Sequence, residues 1–290
     1  MLIDLHTHTN ISDGLDTPEQ LVAMAKAARV SVLAITDHDT TAGWQSLGSA
    51  ERISIGGSGE PHLQLVPGAE ISCLTTGGMS VHMLGYLFDP QDHALVEMMA
   101  TTRDDRIPRI RKMISLLNQA EIAVTFEDVQ ARSDSATTVG RPHLADALIA
   151  LGVVRDRNEA FARYLHNDSP FYVGHIAPTP EEAIATIKKA GGVSVLAHAL
   201  AGSRGATYSL DEISDLVAFG LDGLEVDHRD HDQAARSDLR GLACDFDLLV
   251  TGSSDYHGEN VGHRLAMEVT APEVWEGILA RGSGSEVQQI

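Results

Sequence analysis

Cysteine is almost absent from this chain. Its 290 residues contain two, Cys73 and Cys244, too few for a disulfide framework, so a reducing compartment is expected. Positive charge is scarce as well: 21 Lys and Arg stand against 41 Asp and Glu, a formal net charge of -20. That deficit disfavours broad electrostatic binding to long nucleic acid or to an anionic membrane. It still allows a compact anionic ligand where positive charge is concentrated, as metal ions or a few arginines. No apolar run approaches the ~20 residues of a membrane span. Acidic Asp4 stands where a secretory signal would carry basic residues. The expectation is a cytoplasmic protein with no membrane partner, and no internal repeat is visible.

Histidine, by contrast, is plentiful at fourteen residues. Hydrophobic content of 43% is ordinary for a globular core, and the length suits one large domain or one domain with an insert. Leu2–Thr9 alternates apolar and polar residues and predicts a strand. Thr17-Pro18 offers an N-cap and a first-turn proline, followed by Leu21, Met24, Ala25 and Ala28 at helical spacing. Further strands are predicted at Ser31–Thr36, Leu63–Ser72 and Ser80–Phe88, with a helix over Thr41–Arg52 and a Gly-rich loop at IGGSGEP. After residue 180 the rhythm resumes. Helices are predicted at Glu181–Ala190, Leu210–Phe219, His231–Cys244 and Pro272–Ala280, and strands at Val193–His198, Gly223–Val226 and Leu248–Thr251. Strands alternating with helices predict a parallel α/β architecture. Residues 101–180 lack strand alternation and are expected to form a mainly helical insert between barrel segments 1–100 and 181–290. The closing RGSGSEVQQI is expected to be flexible, and Trp44 and Phe88 to lie in the core.

Polar residues collect at the ends of the predicted strands. His6, His8 and Asp13 follow the first, and Asp37, His38 and Asp39 the second. Glu70 lies in VPGAEIS, His82 in VHMLGY, His198 at the end of VSVLAH, and Asp255 and His257 in GSSDYHG. In a barrel of parallel strands the C-terminal strand ends meet at one mouth, so these residues are expected to converge. Imidazole with carboxylate suits Mn²⁺, Fe²⁺ or Zn²⁺, whereas an all-oxygen set suits Mg²⁺ or Ca²⁺. Six histidines and three carboxylates exceed the needs of one ion. They can hold two or three if a carboxylate bridges, and Glu70 is the bridging candidate. A lone buried histidine is ordinarily a satisfied core residue; nine such side chains at strand ends are not explained that way.

Taken together and in this order, DLHTHTNISDG, ITDHDT, PGAEIS, HMLGY, LAH and SSDYHG resemble the PHP (polymerase and histidinol phosphatase) family of the amidohydrolase superfamily. The resemblance implies a distorted (β/α)7 barrel and a trinuclear metal centre. It implies that His6, His8, Glu70 and Asp255 bind the first metal, that Glu70, His82 and His198 bind the second, and that Asp13, His38 and His257 bind the third. Manganese is the expected ion, with iron or zinc as alternatives. Asp13, His38, His198 and His257 are the expected catalytic residues. Ala199 replaces a proline common in relatives, at a position that is not a ligand. The segments VGRPHLADALIALGVV, EAFARYL and APTPEEAIATIKKAGGVSVLAH are similar to stand-alone PHP phosphoesterases. The activity this implies is a metal-dependent phosphomonoesterase that removes the 3'-phosphate of nucleoside 3',5'-bisphosphates, such as adenosine 3',5'-bisphosphate. The alternatives are a 5'-3' exoribonuclease acting on short RNA, a histidinol-phosphate phosphatase, and a non-catalytic metal-stabilised interaction module.

Arg103, Arg106 and Arg109 recur every three residues in TTRDDRIPRIRK. They read either as an exposed face over inward Ile107, Ile110, Ile114 and Leu117, or as a patch for a phosphate-bearing ligand. Pro108 is expected to start the regular helix or to kink it. Arg141 and His143 in GRPH begin another predicted helix, whose free N–H groups favour anions. Thr102, Arg103, Asp105, Arg106, Arg141 and His143, with Asp13 and His257 at the mouth, are the expected substrate contacts. Arg204, His263 and Arg264 are weaker rim candidates. His62, His93, His166 and His175 are expected at the surface, and His228 and His231 near the mouth. Asp37 and Asp39 are expected to orient ligands rather than bind metal.

Overall fold

The structure, a computed structural model, describes residues 1–49, 63–133, 139–174, 176–202, 206–259 and 264–290. The IGGSGEP loop, the end of the helix predicted to Arg52, and His62, His175, Arg204 and His263 lie outside the described residues. Seven strands follow one another in the sheet in chain order: β1 (Leu2–Asp4), β2 (Val30–Ile35), β3 (Gln64–Leu74), β4 (Ser80–Tyr86), β5 (Val193–Leu196), β6 (Gly223–Asp227) and β7 (Leu249–Gly252). A short β8 (Gln288–Gln289) pairs with β3. The described helices are α1 (Pro18–Ala27), α2 (Ala42–Ser49), α3 (His93–Gln119), α4 (Phe126–Ser133), α5 (Arg141–Ala150), α6 (Arg157–Ala160), α7 (Pro180–Lys189), α8 (Leu210–Ala218), α9 (Gln233–Asp245) and α10 (Pro272–Arg281), with a π-helical turn at Phe161–Leu165. None is long and apolar enough to cross a membrane.

Local chemistry sets the helix starts. Thr17 and Gln20 form a capping box ahead of α1, as do Thr179 and Glu182 ahead of α7 and Ser209 and Glu212 ahead of α8. The helix predicted from His231 begins instead at Gln233, because Asp232 caps it by accepting from the Ala235 N–H at 2.8 Å.

The expected all-parallel sheet is corrected at β4, which pairs antiparallel with both β3 and β5. The reason is chain length. Only residues 75–79 separate β3 from β4, whereas a parallel crossover needs a dozen or more. The turn closes with Thr75 N–H donating to Met79 O at 2.9 Å. The other strand pairs along the chain-order path are parallel.

The barrel is distorted at its seam. β1 ends at Asp4, short of the predicted Thr9, because the fully buried Asp4 carboxylate bonds across to the segment after β7. It accepts from Ser254 N at 3.0 Å, Ser254 Oγ at 2.6 Å and Ala266 N at 2.8 Å. A single parallel bridge, Thr7 to Tyr256, continues the contact. Inside, Ile3, Leu5, Val32, Ala34, Val66, Leu84, Tyr86, Val193, Val195 and Ala197 pack together, and the Tyr86 hydroxyl donates to Leu5 O at 2.9 Å.

The insert has a core of its own, built on Ile110, Met113, Ile114, Leu117, Leu144 and Leu148. The boundary expected at residue 101 falls within α3. That helix lends Leu95 and Met99 to a core cluster beneath the sheet and its C-terminal half to the insert. Pro108 sits in the interior of this helix. Two expectations for its face are corrected. Ile107 is exposed, and Arg109 is buried, because its guanidinium lies 5.1 Å from the Tyr172 ring centroid and its Nε donates to Val173 O at 2.7 Å.

The C-terminal tail, expected to be flexible, is also corrected. Gly284 N donates to Leu87 O at 2.9 Å, Ser285 N donates to the same oxygen at 2.9 Å, and Ile290 N donates to Leu63 O at 3.1 Å. Backbone pairing with β3 holds what composition alone marked as loose. A Cβ on Gly284 would collide with the backbone oxygen of Ala190 and the backbone nitrogen of Asp89. Gly284→Ala is therefore expected to destabilise the fold by about 1–3 kcal/mol, read as a lowered denaturant midpoint; a free tail would tolerate the change.

Candidate metal centre

The loops that carry the polar cluster are braced by buried carboxylates. Asp37 accepts from Thr9 N at 2.8 Å, Thr9 Oγ1 at 2.7 Å and Ser12 Oγ at 2.7 Å, which fixes the turn bearing Asp13. Gly43 makes room for this carboxylate, since a Cβ there would strike it. Asp39 takes a left-handed backbone at φ 53. It accepts from Ser72 N at 2.8 Å and Ser72 Oγ at 3.0 Å, two residues past Glu70. Both aspartates thus hold the loops around His38.

All nine residues expected as ligands converge. Two hydrogen bonds fix which nitrogen of a ring carries its proton. His6 Nδ1 lies 2.9 Å from Glu225 Oε1, and a carboxylate only accepts, so in the neutral ring that a metal requires the lone pair is on His6 Nε2. That lone pair faces His8 Nε2 at 3.1 Å, Glu70 Oε2 at 3.3 Å and Asp255 Oδ1 at 3.3 Å. His257 Nδ1 donates to the Asp255 carbonyl at 2.9 Å, which turns its Nε2 lone pair toward Asp13 Oδ1 at 3.3 Å.

Glu70 stands at the junction. Its Oε1 faces His82 Nδ1 at 2.8 Å and His198 Nε2 at 3.1 Å, while its Oε2 faces His6, His8 and His38 Nδ1, the last at 3.1 Å. Among the described residues, three groups have ligand atoms within 4.8 Å of one another: His6, His8 and Glu70; His38, Glu70 and His82; and His8, Asp13, His38 and His257. His38 therefore borders both the Glu70 and the Asp13 side, with its Nε2 3.6 Å from Asp13 Oδ2.

Charge follows the same pattern. Burial pulls the His6 imidazole down, but Glu70, Glu225 and Asp255 lift it well above the usual histidine value. His8 is likewise buried and is raised to about 10 by Asp255, Glu70 and Asp13. Burial would raise the Glu70 and Asp13 carboxyls, yet the surrounding imidazoles, His38 foremost, hold both well below the usual carboxylate range. His38 is held well below the ordinary value by burial and by its neighbours His8 and His82, against Glu70 and Asp13. The pocket calls for positive charge but cannot protonate every ring at once. Imidazole and carboxylate lone pairs facing a common centre fit divalent ions of the Mn²⁺, Fe²⁺ or Zn²⁺ kind.

The expected substrate contacts divide. Arg103 Nη1 donates to Asp39 O at 3.1 Å, and Arg106 pairs with the Asp39 carboxylate and donates to Ser72 Oγ at 2.6 Å. Both reach the loop beside His38. His143 is buried and accepts from Gly140 N at 3.0 Å, and the nearby Asp13 charge acts on its ring. Thr102 bonds within its own helix, to Met98 O at 3.1 Å. Asp105 accepts from Ile176 N at 2.8 Å. Arg141 donates to Leu165 O at 2.8 Å and Asn167 Oδ1 at 2.7 Å, tying the insert to itself. His93 is at the surface beside Glu97, as expected.

Glu225 was not anticipated, and His228 only as a residue near the mouth. Both are fully buried, Glu225 against His6 and His228 with Nε2 3.3 Å from Asp255 Oδ2. The signal was present in GLEVDH, where a carboxylate interrupts an apolar strand.

Residues 4–121 match the PHP domain family. The chain is similar to the 3',5'-nucleoside bisphosphate phosphatase of Chromobacterium violaceum, 32% identical over 96% of this chain and 97% of that one. It is similar to the 5'-3' exoribonuclease of Haemophilus influenzae, 32% identical over 94% and 97%. A solved structure from Bifidobacterium adolescentis, named as a candidate metal-dependent phosphoesterase, superposes with a TM-score of 0.87 at 39% identity, covering 97% of this chain and 96% of that one.

Protein purified after growth with manganese is expected to carry more than one ion per chain by elemental analysis; a single tightly held zinc ion would contradict the three donor groups. Asp13→Asn is expected to keep the circular dichroism of the parent, lose an ion and lose most turnover. Full metal content with near-normal activity would reduce Asp13 to a turn residue.

Proposed function

This chain belongs to the PHP domain family and is a metal-dependent phosphoesterase, and from that premise we propose that it removes the 3'-phosphate of nucleoside 3',5'-bisphosphates. The supporting observation is the pairing of a buried histidine and carboxylate centre with insert arginines. In a chain of net charge -20, Arg103 and Arg106 stand beside the His38 loop. The full-length relative named as a bisphosphate phosphatase supports the same substrate class.

Hydrolysis forms a bond from the oxygen of water to phosphorus and breaks the bond from phosphorus to the 3'-oxygen, which takes up a proton. Divalent ions, when bound, supply Lewis acidity toward water and the phosphoryl oxygens. His6, His8, Glu70 and Asp255 would hold one, Glu70, His82 and His198 a second, and Asp13, His38 and His257 a third. Manganese is the proposed ion, with iron or zinc as alternatives. Asp13, His38, His198 and His257 are the proposed catalytic residues. The insert, residues 101–180, serves as the substrate-side lid, with Arg103 donating to the 5'-phosphate.

The roles of the two arginines differ. Arg106 is committed to Asp39 and Ser72. Arg103 is half-buried and uses one Nη1 donor on Asp39 O, out of five guanidinium N–H groups.

A 5'-3' exoribonuclease on short RNA is the second proposal, and the Haemophilus influenzae relative favours it. The same centre would then cleave a diester. The acidity of the chain opposes a long RNA track in either case.

Phosphate or nucleotide release from adenosine 3',5'-bisphosphate, AMP and short 5'-phosphorylated RNA, assayed with Mn²⁺, separates the two. Turnover of the bisphosphate above the RNA is expected. Arg103→Ala is expected to cost roughly 10- to 150-fold in kcat/KM on the bisphosphate, one charge-assisted hydrogen bond of about 1.5–3 kcal/mol, and little on a simple phosphate ester. Arg106→Ala should lower both substrates alike, because it strips Asp39 of its cation. Equal losses for Arg103→Ala on both substrates would retire the 5'-phosphate contact.

A further inference from the structure

Six of the seven strands in chain-order pairing carry or lead into the nine converging residues. His6, His8 and Asp13 follow β1, and His38 follows β2. Glu70 and His82 lie in β3 and β4, His198 follows β5, and Asp255 and His257 follow β7. β6 contributes none of them. Glu225 in β6, with His228 and His231 just beyond it, is buried all the same.

Each of the three is engaged with a neighbouring segment. Glu225 Oε1 accepts from His6 Nδ1 at 2.9 Å, and its Oε2 accepts from the backbone N–H of His198, also at 2.9 Å. One carboxylate thus orients the His6 ring and the chain at His198. His228 Nδ1 accepts from Asp230 N at 3.0 Å, so its Nε2 carries the proton and donates to Asp255 Oδ2 at 3.3 Å. That leaves Asp255 Oδ1 toward His6 and His8, at 3.3 and 3.4 Å. His231 donates from Nδ1 to Val226 O at 3.0 Å and accepts at Nε2 from Leu200 N at 3.1 Å, tying the segment after β6 to the one after β5.

Two of the residues held this way have unusual backbones. His198 sits at φ 30 and Asp255 at φ 48. Non-glycine residues keep such conformations only where their surroundings hold them. Glu225 and His228 supply part of that hold.

Resting on the metal centre proposed above, we infer that Glu225 and His228 are positioning residues for the ion held by His6, His8, Glu70 and Asp255. Glu225 keeps the His6 Nε2 lone pair free and aimed. His228 occupies one oxygen of Asp255 and so directs the other. Neither touches an ion or substrate. A purely structural role, two buried polar groups satisfied in a core, predicts a loss of folding stability with no particular effect on metal.

The test is titration of chelator-stripped protein with MnCl₂ by calorimetry, alongside the melting temperature of the same metal-free samples. Glu225→Gln and His228→Leu are each expected to weaken one class of Mn²⁺ sites by about 10- to 100-fold, with metal-free melting within a few degrees of the parent. The class that includes Asp13 and His257 should keep its affinity. His228→Gln, which can return an N–H donor toward Asp255, should recover most of the loss. Unchanged Mn²⁺ affinity in both variants overturns the inference and leaves the metal centre intact. Equal weakening of every class, in step with a lowered metal-free melting temperature, overturns it in favour of a structural role. A parent protein that takes up no Mn²⁺ overturns the metal centre and this inference together.

Discussion

Buried carboxylates need positive charge beside them, and this protein gathers imidazoles and carboxylates around Glu70. One oxygen of that carboxylate meets His82 and His198, the other His6, His8 and His38. Such a junction is unfavourable unless positive charge fills it, and it also has to be held open by the rest of the fold. The barrel does that holding. Its strand ends deliver the donors, its buried aspartates brace the loops between them, and its seam is closed by the Asp4 carboxylate instead of a full strand ladder.

The insert depends on the same junction. α3 begins against a core cluster beneath the sheet and ends in a separate one. Between the two, Arg106 pairs with Asp39, and Asp39 in turn accepts from Ser72 on the strand of Glu70. An arginine that looks like a ligand clamp along the sequence is thus part of the frame around the centre. The nearby Arg103 reaches the same loop with one donor on a backbone oxygen.

Likeness to known proteins sets the chemistry more sharply than the substrate. A bisphosphate phosphatase and an exoribonuclease match this chain at the same 32% identity over nearly its whole length.

The sequence by itself determined the donor set and the class of fold. Most of the histidines and carboxylates that converge were legible because they follow apolar runs, and strand ends in such folds share a mouth; Glu70 and His82 instead lie within β3 and β4. Capping at Thr17 was legible for a different reason, since it depends on residues a turn apart. Tertiary structure decided the rest. It reversed β4 and buried Arg109. It pinned the C-terminal tail to β3, and it placed Glu225 against His6, 219 positions away in the chain. A tautomer, a facing pair of oxygens or the partner of a buried guanidinium is set by atoms brought together only on folding. Local spacing carries no record of those meetings, which is why the donor atoms could be named from the sequence and their orientation could not.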